Sequence, residues 1–536
     1  MSSPTMPRRE FLATGLAAAG SALLSGSILS CTTDSATAPP PPTRTSTEPS
    51  APAVDGDLAD PRVIRSVGGV LSATIKIASD PVRVAGAPRF APITYGNTIP
   101  GPTLRVNAGD TLDQTFADKI MIGSDDPKPG YGRPPRPASS ATNVHYHGTH
   151  VTPVGTGDNM LVKIHAGESF TYHFQVPPTH PAGLFWYHPH VHGLVTEQLG
   201  RGGCGMLFIA NAHTDAVDAR YRRRILVLQQ LYLEPDLRTI TFDDADRDDP
   251  LLALTLINGE LMPLLRMRPG ERQVWDLANA STSAFYQLRV PDGFQARVLA
   301  YDGLPRTGYP GGTGPTIQLA PGKRVELEVK APVQPGTTVL SLDAYNQGVD
   351  TWPAKPIATI AIGGTAVADP GEVPLDPSGL PDLSGAAPVT NRTIIFDQDD
   401  SVPEGEFGRF RMYLQGHLPH SWNPAVPEWT DSILGTVEQW TILNLTAQEH
   451  PFHVHTNPIH VMTVAGPYNG VTPSPSSPLV TGYHDTVVVP PGGYATVRTR
   501  FADFTGGPIL MHCHILDHED MGMMTSFFIQ PATTTT

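Results

Sequence analysis

The chain is 536 residues long, enough for roughly three domains at the usual ~150 residues each. Its formal net charge of -15 argues against a nucleic-acid partner, which would select a basic surface. Charged residues make up only 16% and proline is abundant, with 56 residues, which favours an all-β protein of many short strands over one built from long helices.

The N-terminal residues 1–31 resemble an export signal. Arg8 and Arg9 precede an apolar run, rich in Ala, Gly and Leu, that ends at Leu29, as is typical of a twin-arginine signal peptide. The run is too short and too rich in glycine to predict a membrane span. We therefore expect an exported protein of the cell envelope or periplasm, with an uncleaved anchor or a chance arginine pair as the alternatives.

Residues 28–31, Ile-Leu-Ser-Cys, resemble a lipoprotein cleavage box, although position 29 holds leucine instead of a small residue. Lipidation of Cys31 would anchor the protein to a membrane. Residues 32–58 are rich in Thr, Pro, Ser and Ala, a composition that predicts a disordered tether. Of the other two cysteines, Cys204 is expected to be a small buried residue, and Cys513 lies in a metal motif, so no disulfide is predicted within the mature domains.

A repeat of two sequence patterns sets the domain count. The first pattern precedes an alternating strand and occurs at 102–110, 263–271 and, more weakly, 432–438. The second is a glycine turn followed by a strand, and it occurs at 165–168, 320–323 and 490–493. Strands at this spacing are typical of β-sandwiches. Three copies predict three domains, at 59–213, 214–372 and 373–536.

Half of the 20 histidines lie in four short clusters, which are typical of metal sites. The clusters lie in the first and third copies of the repeat, and the middle copy has none, which predicts a spacer domain. The ten histidines are His145, His147, His188, His190, His450, His453, His455, His512, His514 and His518.

The last cluster combines a thiol, imidazoles and a thioether. Cys513 lies between two histidines, with His518 and Met523 following, and this is the ligand set of a blue-copper electron-transfer site. Neighbouring residues of a strand point to opposite faces. His512 and His514 are therefore expected to face away from the metal that Cys513 binds, towards a second site.

The four clusters resemble the copper motifs of the multicopper oxidases, the laccase-like family. The order matches: HxHG and HxH come early, and HPxHxH and HCHxxxHxxxxM come late. The resemblance implies cupredoxin-like Greek-key β-sandwich domains and four copper ions, with no other cofactor. It implies a type 1 copper bound by His450, Cys513, His518 and the axial Met523.

The remaining eight histidines match the family's three-copper cluster. His145 and His453 resemble the type 2 ligands. The type 3 pair is implied to take His147, His188, His190, His455, His512 and His514. These pairs come from the first and third domains, which predicts a cluster at their interface.

The resemblance also implies a reaction. One-electron oxidation of a reductant at the type 1 copper is coupled to four-electron reduction of O2 to water, with Cys513, His512 and His514 carrying electrons between the sites. Because this reduction consumes protons, carboxyl groups are needed near the cluster. Asp158 and Glu519 resemble the family's proton-relay acids; for Asp158, a plain turn residue is the alternative.

The substrate class is the least constrained expectation. A laccase-like oxidase of phenols and aromatic amines is the leading hypothesis, and an oxidase of Cu(I), Fe(II) or Mn(II) in metal tolerance is the alternative. The 13 methionines are scattered and the segment 463–481 has none, which disfavours a cuprous oxidase. A copper carrier without activity is disfavoured by the complete ligand set. We expect a monomer.

Overall fold

The computed structural model describes residues 56–79, 92–120, 141–232, 253–306, 312–313, 316–403, 405–420, 422–423, 426–466 and 481–532. The predicted signal peptide and the tether up to residue 55 lie outside the described residues. In the described part strands far outnumber helices, which confirms the all-β class. No helix in these ranges is both long enough and apolar enough to cross a membrane.

The first unit holds the first two histidine clusters. One sheet has the order β1-β4-β11-β10-β7, a second has β3-β2-β5-β9, and β6 pairs with β8. Its elements are β1 Val63–Arg65, β2 Val70–Ala78, β3 Thr94–Tyr95, β4 Thr103–Asn107, β5 Thr111–Asp118, β6 Ala141–Thr142, β7 His145–His147, β8 Ile164–His165, β9 Ser169–Gln175, β10 Gly183–His188, α1 Val195–Gly200, β11 Gly205–Ala210 and α2 Ala212–Asp218.

The second unit has a large sheet, β14-β13-β12-β16-β22-β18-β19 with β20 beside β18, and a five-stranded sheet, β15-β26-β23-β17-β21; β24 pairs with β25. Its strands are β12 Arg222–Tyr232, β13 Ala253–Ile257, β14 Glu260–Leu261, β15 Leu264–Met267, β16 Arg272–Asn279, β17 Tyr286–Arg289, β18 Gln295–Tyr301, β19 Leu304–Pro305, β20 Gly312–Thr313, β21 Thr316–Leu319, β22 Arg324–Lys330, β23 Gly336–Asp343, β24 Tyr345–Asn346, β25 Thr351–Trp352 and β26 Lys355–Ile362.

The third unit holds the other two clusters. Its sheets have the orders β28-β27-β30-β35-β32-β33 and β29-β37-β36-β31-β34. Its elements are β27 Thr390–Gln398, β28 Phe410–Leu414, β29 Trp429–Ile433, β30 Val437–Asn444, β31 His450–Val454, β32 Ile459–Ala465, β33 Gly482–His484, β34 Thr486–Val489, β35 Tyr494–Arg500, β36 Gly506–Cys513, α3 Leu516–Asp520 and β37 Met524–Gln530.

The repeated sequence patterns form equivalent structures in the three units. β5 and β30 alternate strictly between buried and half-buried side chains, as expected for strands with one face on a core. The three predicted glycine turns place Gly167, Gly322 and Gly492 at φ of 91°, 84° and 59°, which residues other than glycine rarely adopt. The three strand groups lie within the predicted domains, whose boundaries stay predictions.

The folded chain begins before residue 59. The Leu58 N–H donates to the Leu264 carbonyl at 2.7 Å, and the Leu58 side chain belongs to the apolar core that the second and third units share. Asp57 forms an ion pair with Arg224 at 2.8 Å. The last residues assigned to the tether are therefore fastened to the second unit.

Apolar and polar contacts both join the three units. One buried cluster includes Leu184 of the first unit, Val227 of the second and Leu516 of the third. The Asp520 carboxylate, at the end of α3, accepts the N–H groups of Gly193 and Thr196 at 2.7 and 2.9 Å. Helix α3 and the start of α1 are thus held together beside the segments that carry His518 and His190.

Candidate metal centre

Strand register places the histidine pairs side by side. In the first unit, His145 on β7 is paired with His188 on β10. In the third unit, His453 on β31 is paired with His512 on β36, and Phe452 is paired with Cys513. Because side chains alternate along each strand, Cys513 lies on the opposite face from His512. The strand register therefore places Cys513 and its neighbour His512 towards different sites, as the sequence predicts.

The first site, called here the cysteine site, consists of His450, Cys513 and His518. The Cys513 Sγ atom lies 3.4 Å from His450 Nδ1 and 3.7 Å from His518 Nδ1, and the two Nδ1 atoms are 3.2 Å apart. All three side chains are buried. Met523 is also fully buried, and its carbonyl accepts the Cys513 N–H at 3.0 Å. Met523 is therefore tied by its backbone to the strand end that carries the thiol.

Neighbouring groups orient both imidazoles of the cysteine site. Thr446 Oγ1 lies 2.7 Å from His450 Nε2, and Gln448 Nε2 lies 3.3 Å from His518 Nε2. The Phe410 ring stacks on His518 with a centroid distance of 3.8 Å. Both histidines therefore present Nδ1 to the sulfur atom.

The second site, called here the histidine cluster, gathers the eight histidines of the four His-x-His pairs. Three groups have ligand atoms within 4.8 Å of one another, and each combines the first and third units. The groups are His147, His188 and His514; His190, His455 and His512; and His145, His147 and His453. The eight predicted side chains thus converge where the first and third units meet, and their binding of copper stays a prediction.

The nitrogen atoms of the histidine cluster are arranged to bind metal. Backbone carbonyls lie 2.9–3.0 Å from Nδ1 of His188, His453 and His512, which directs their Nε2 atoms inwards. Six of these eight histidines have a buried nitrogen with no hydrogen-bond partner among the described residues: Nε2 of His145, His188 and His453, Nδ1 of His147 and His190, and both nitrogens of His514. Unpartnered buried nitrogens are costly unless a ligand satisfies them, so this donor set fits copper.

Burial favours the neutral form of nine of these imidazoles. It lowers the pKa of His188 and of His518 to about 3. It also lowers the pKa of His145, His147, His190, His450, His453, His455 and His514. Burial also raises the pKa of the Cys513 thiol, whose Sγ accepts the Ile515 N–H at 3.4 Å. Neutral imidazole is the form that binds metal, and a bound metal ion displaces the thiol proton.

Asp158 contacts a histidine of the cluster, as its predicted role requires. Its Oδ2 lies 2.8 Å from His145 Nδ1, and its Oδ1 accepts the Tyr146 N–H at 2.8 Å. Burial raises the pKa of Asp158 to about 7, against the opposing effect of the Tyr146 hydrogen bond. A carboxylate on Nδ1 fixes the tautomer that leaves Nε2 free for a metal.

Glu519 lies against the other side of the histidine cluster. Its Oε2 is 3.0 Å from His512 Nδ1 and its Oε1 is 3.5 Å from His190 Nδ1. The side chain is fully buried, and burial raises the pKa of its carboxyl group. The two predicted acids therefore contact different members of the cluster.

Sequence reasoning missed three residues at this site, and two of them belong to the second unit. Asp485 accepts the His453 Nδ1–H through its carbonyl at 2.9 Å. Arg324 forms an ion pair with Asp485, and a Cβ atom on Gly322 would lie 2.8 Å from the His514 ring. The sequence identifies the Ala-Pro-Gly-Lys turn at 320–323 only as part of the repeat. Because the turn contains no histidine, its sequence does not indicate a contact with the cluster.

Three histidines beside the motifs have contacts that join segments. His150 lies 2.7 Å from the Thr456 carbonyl and 3.0 Å from Asp503 Oδ2, and so connects the first and third units. His192 packs edge-on against Phe407 and Trp422. His460 lies beside Tyr483. None of these three is in a group with metal-ligand spacing among the described residues.

Two family models, both described as multicopper oxidase, match the chain at residues 137–214 and 415–533. The first match contains both histidine pairs of the first unit. The second contains Cys513, Met523 and the six clustered histidines of the third unit. The matched segments therefore carry every predicted ligand, and the second unit lies between them.

Full-length relatives are similar across most of the chain. A laccase of Bacillus stratosphericus is 25% identical over 80% of this chain and 89% of its own length. A multicopper oxidase of Staphylococcus aureus is 22% identical over 80% of this chain and 82% of its own length.

Solved structures show the same fold. A metallo-oxidase described as a multicopper oxidase from Campylobacter jejuni has a TM-score of 0.71 at 23% identity, covering 88% of this chain and 95% of its own. The McoA multicopper oxidase of Aquifex aeolicus has a TM-score of 0.70 at 18% identity, covering 89% and 99%. The predicted class, cupredoxin-like β-sandwiches, is confirmed.

Proposed function

We infer that this chain is a multicopper oxidase, a copper-dependent oxidoreductase that uses O2. On that premise we propose which residues bind copper, which carry protons and what the enzyme oxidises. One observation carries the assignment most strongly. Within β36, consecutive residues supply a thiol to one buried group of ligands and an imidazole to another.

We assign the type 1 ligands to His450, Cys513 and His518, with Met523 as the axial ligand. The support is the mutual approach of the first three and the complete burial of the fourth. We assign the type 2 ligands to His145 and His453. The type 3 ligands are His147, His188 and His514 for one ion and His190, His455 and His512 for the other, following the groups of converging nitrogens.

Copper at these sites supplies one-electron oxidation at the type 1 ligands and reduction of O2 to water at the histidine cluster. Only a few covalent bonds separate the two ligand sets, because Cys513 is joined through the backbone to both His512 and His514. The His512 Nδ1 atom also lies 3.0 Å from the Cys513 carbonyl, which fixes this ring relative to the strand. The tripeptide is the proposed electron path.

We propose that Asp158 and Glu519 deliver protons to the histidine cluster. Each is buried and lies within about 3 Å of a ligand imidazole, which is the reach that proton transfer requires. Asp158 Oδ2 also holds the Nδ1 proton of His145. The two acids approach different histidines, so they supply different sides of the cluster.

We propose phenols and aromatic amines as the substrates. Leu445 is 55% exposed and is followed by Thr446, the residue that contacts His450 Nε2. An exposed apolar side chain next in sequence to a residue that contacts a type 1 ligand suits the flat, weakly polar ring of a phenol. The Bacillus stratosphericus relative is named a laccase, which agrees with this choice.

A metal-ion substrate is the second candidate, and one group of residues favours it. The buried Glu428 carboxylate lies between two part-exposed imidazoles, 2.7 Å from His417 Nδ1 and 2.8 Å from His420 Nε2. Glu428 Oε1 also accepts the Leu414 N–H at the end of β28, whose first residue, Phe410, stacks on His518. Imidazole and carboxylate suit Fe(II) and Mn(II).

Oxygen consumption by the copper-loaded protein distinguishes the two candidates. A phenol, Cu(I) and Mn(II) are compared as reductants at matched concentrations, and we expect the largest kcat/KM for the phenol. A large preference for a metal ion would replace the phenol proposal with the metal-oxidase one. Failure to consume O2 with any reductant would refute the enzymatic assignment itself.

We propose export by the twin-arginine route, with lipidation of Cys31 as a membrane anchor and a monomeric enzyme. The support for export is the sequence of residues 1–31, which lie outside the described residues. A tether that ends before Asp57 is compatible with an anchor, because Asp57 and Leu58 already belong to the folded body.

A further inference from the structure

A buried ion pair between Arg324 and Asp485 lies next to the histidine cluster. Arg324, at the start of β22 in the second unit, places Nη2 at 2.5 Å and Nη1 at 3.1 Å from the two carboxylate oxygens of Asp485 in the third unit. The two side chains are only 1% and 3% exposed. A pair of charges this deeply buried needs further hydrogen bonds to offset its desolvation.

Together with the ion pair to Asp485, those further bonds attach Arg324 to all three units. Its Nη1 donates to the Gly322 carbonyl at 2.9 Å and its Nη2 to the Asp302 carbonyl at 3.0 Å, both within the second unit. Its Nε donates to the Leu184 carbonyl of β10 at 3.3 Å, in the first unit. The planar guanidinium is therefore fixed in direction, which a lysine ammonium would not achieve.

Asp485 in turn contacts one histidine from each outer unit. Its carbonyl accepts the His453 Nδ1–H at 2.9 Å, and its Oδ1 lies 3.3 Å from His147 Nε2. The two imidazoles stack on each other with centroids 3.8 Å apart and planes 10° apart. The orientation of this ring pair therefore depends on where Asp485 is held.

Gly148, the glycine of the HxHG motif, lies against the same ion pair. A Cβ atom on Gly148 would overlap the Asp485 carboxylate and lie 2.6 Å from Arg324 Nη2, and the residue has φ of 80°. Gly322 makes a similar close approach, because its Cβ position is 2.8 Å from the His514 ring. Two glycines thus leave room for the ion pair and for the second unit's turn against the cluster.

We propose that Arg324 and Asp485 are positioning residues of the three-copper cluster, through which the second unit, although it supplies no ligand, sets the orientation of His147 and His453. This inference rests on the proposed assignment of those histidines as copper ligands. The partners that orient metal ligands typically affect metal affinity or activity by about 10- to 100-fold. Among the described residues, no hydrogen bond or ion pair joins Arg324 or Asp485 to the side chains of the cysteine site.

The competing explanation is that the ion pair only holds the units together. Arg223 provides the matched control, because it is an arginine of the same unit with a side chain only 9% exposed, whose Nη1 lies 2.8 Å from Asp276 and whose Nε lies 2.6 Å from Asp218. A general loss of stability would follow from Arg223→Gln as well as from Arg324→Gln. Only the latter should alter the histidine cluster.

The test uses copper-loaded full-length protein and measures copper per chain, type 1 absorption, the electron paramagnetic resonance signal of type 2 copper and Tm. For Arg324→Gln and Asp485→Asn we expect the type 1 absorption to persist, while the type 2 signal shifts and copper affinity of the cluster falls about 10- to 100-fold. Arg324→Lys should restore the charge without restoring the type 2 signal. Arg223→Gln should lower Tm and leave the signal unchanged.

Type 2 signals and copper contents equal to wild type in both Arg324→Gln and Asp485→Asn would overturn the inference. A shift of the same size in Arg223→Gln would also overturn it. If Arg324→Gln does not fold, the near-isosteric Asp485→Asn decides by the same signal. A wild-type protein without any type 2 signal would instead refute the ligand assignment on which the inference depends.

Discussion

His512 and Cys513 are consecutive residues of β36 whose side chains belong to two different sites. His512 Nε2 lies 3.2 Å from both His190 Nε2 and His455 Nε2, whereas Cys513 Sγ lies 3.4 Å from His450 Nδ1. Strand alternation alone produces this division. Any change that disturbs one site can therefore be checked against the other within the same molecule.

Asp158→Asn should lower the rate of O2 reduction about 10- to 100-fold, because it removes the charge that faces His145 Nδ1. Reduction of the type 1 copper by substrate should be unchanged. The measurement is steady-state oxygen consumption across pH, with copper content checked. Asp118→Asn is the control, since Asp118 is a buried acid of the same unit that accepts the Ile120 N–H at 2.8 Å. Full activity with an unaltered pH profile would remove Asp158 from the mechanism.

Glu519→Gln should slow reoxidation of the fully reduced enzyme by O2, by about 100-fold or more if the residue is a proton donor. The glutamine keeps the shape that fits between His190 and His512 but cannot release a proton. Stopped-flow mixing of reduced enzyme with O2 measures this step directly. Glu438→Gln serves as the control, because Glu438 is a buried acid of the same unit that is paired with Arg392. Equal reoxidation rates in wild type and Glu519→Gln would exclude the proposed role.

The strands, the repeat and the predicted ligand groups could be read from the sequence because each depends on local information. Sequence alternation after the first repeated pattern predicted strands at the positions of β5 and β30, whose side chains are alternately half-buried and buried in the structure. Glycine turns marked the equivalent positions in the three units. His-x-His spacing predicted that both imidazoles of a pair share one strand face. Grouping the pairs across units required only the family resemblance.

The contribution of the second unit could not be predicted in this way. Arg324 and Asp485 are 161 residues apart, and neither stands in a pattern that indicates metal chemistry. His484-Asp485 has no ligand spacing, and the turn at 320–323 has no histidine. Their roles arise from packing between units. The second unit, which the sequence predicts to be a spacer, approaches His514 through Gly322.

The double variant His417→Ala/His420→Ala separates the two substrate classes. If phenols are the substrates, kcat/KM for a phenol should remain within about twofold of wild type, because both imidazoles are part-exposed and Glu428 keeps the Leu414 N–H and the Thr525 hydroxyl as hydrogen-bond partners. A loss of about tenfold or more confined to Fe(II) or Mn(II) would identify the Glu428 group as a metal-ion site. His173→Ala, a change at an exposed histidine paired with Asp113, is the control for nonspecific effects.

Met523→Leu should raise the reduction potential of the type 1 copper, because it removes a weak axial thioether while nearly conserving volume. Redox titration of the type 1 absorption measures the shift. Met524→Leu is a closely matched control, since Met524 is the next residue and is also buried. A potential that does not change in Met523→Leu would mean that the thioether is not an axial ligand.

Cys513→Ser removes the thiolate and leaves all ten clustered histidines in place. The fold should persist, because serine is similar in size, and the nitrogens of the histidine cluster do not depend on the sulfur atom. Substrate-driven O2 reduction should be abolished, since the entry of electrons requires the type 1 copper.

The decisive measurement is the electron paramagnetic resonance spectrum of copper-loaded Cys513→Ser. We expect the type 1 signal to be absent and the type 2 signal to match that of wild type, because the two sites use opposite faces of β36. Persistence of the type 1 signal, or loss of the type 2 signal together with it, would contradict a division of His512-Cys513-His514 between two copper sites.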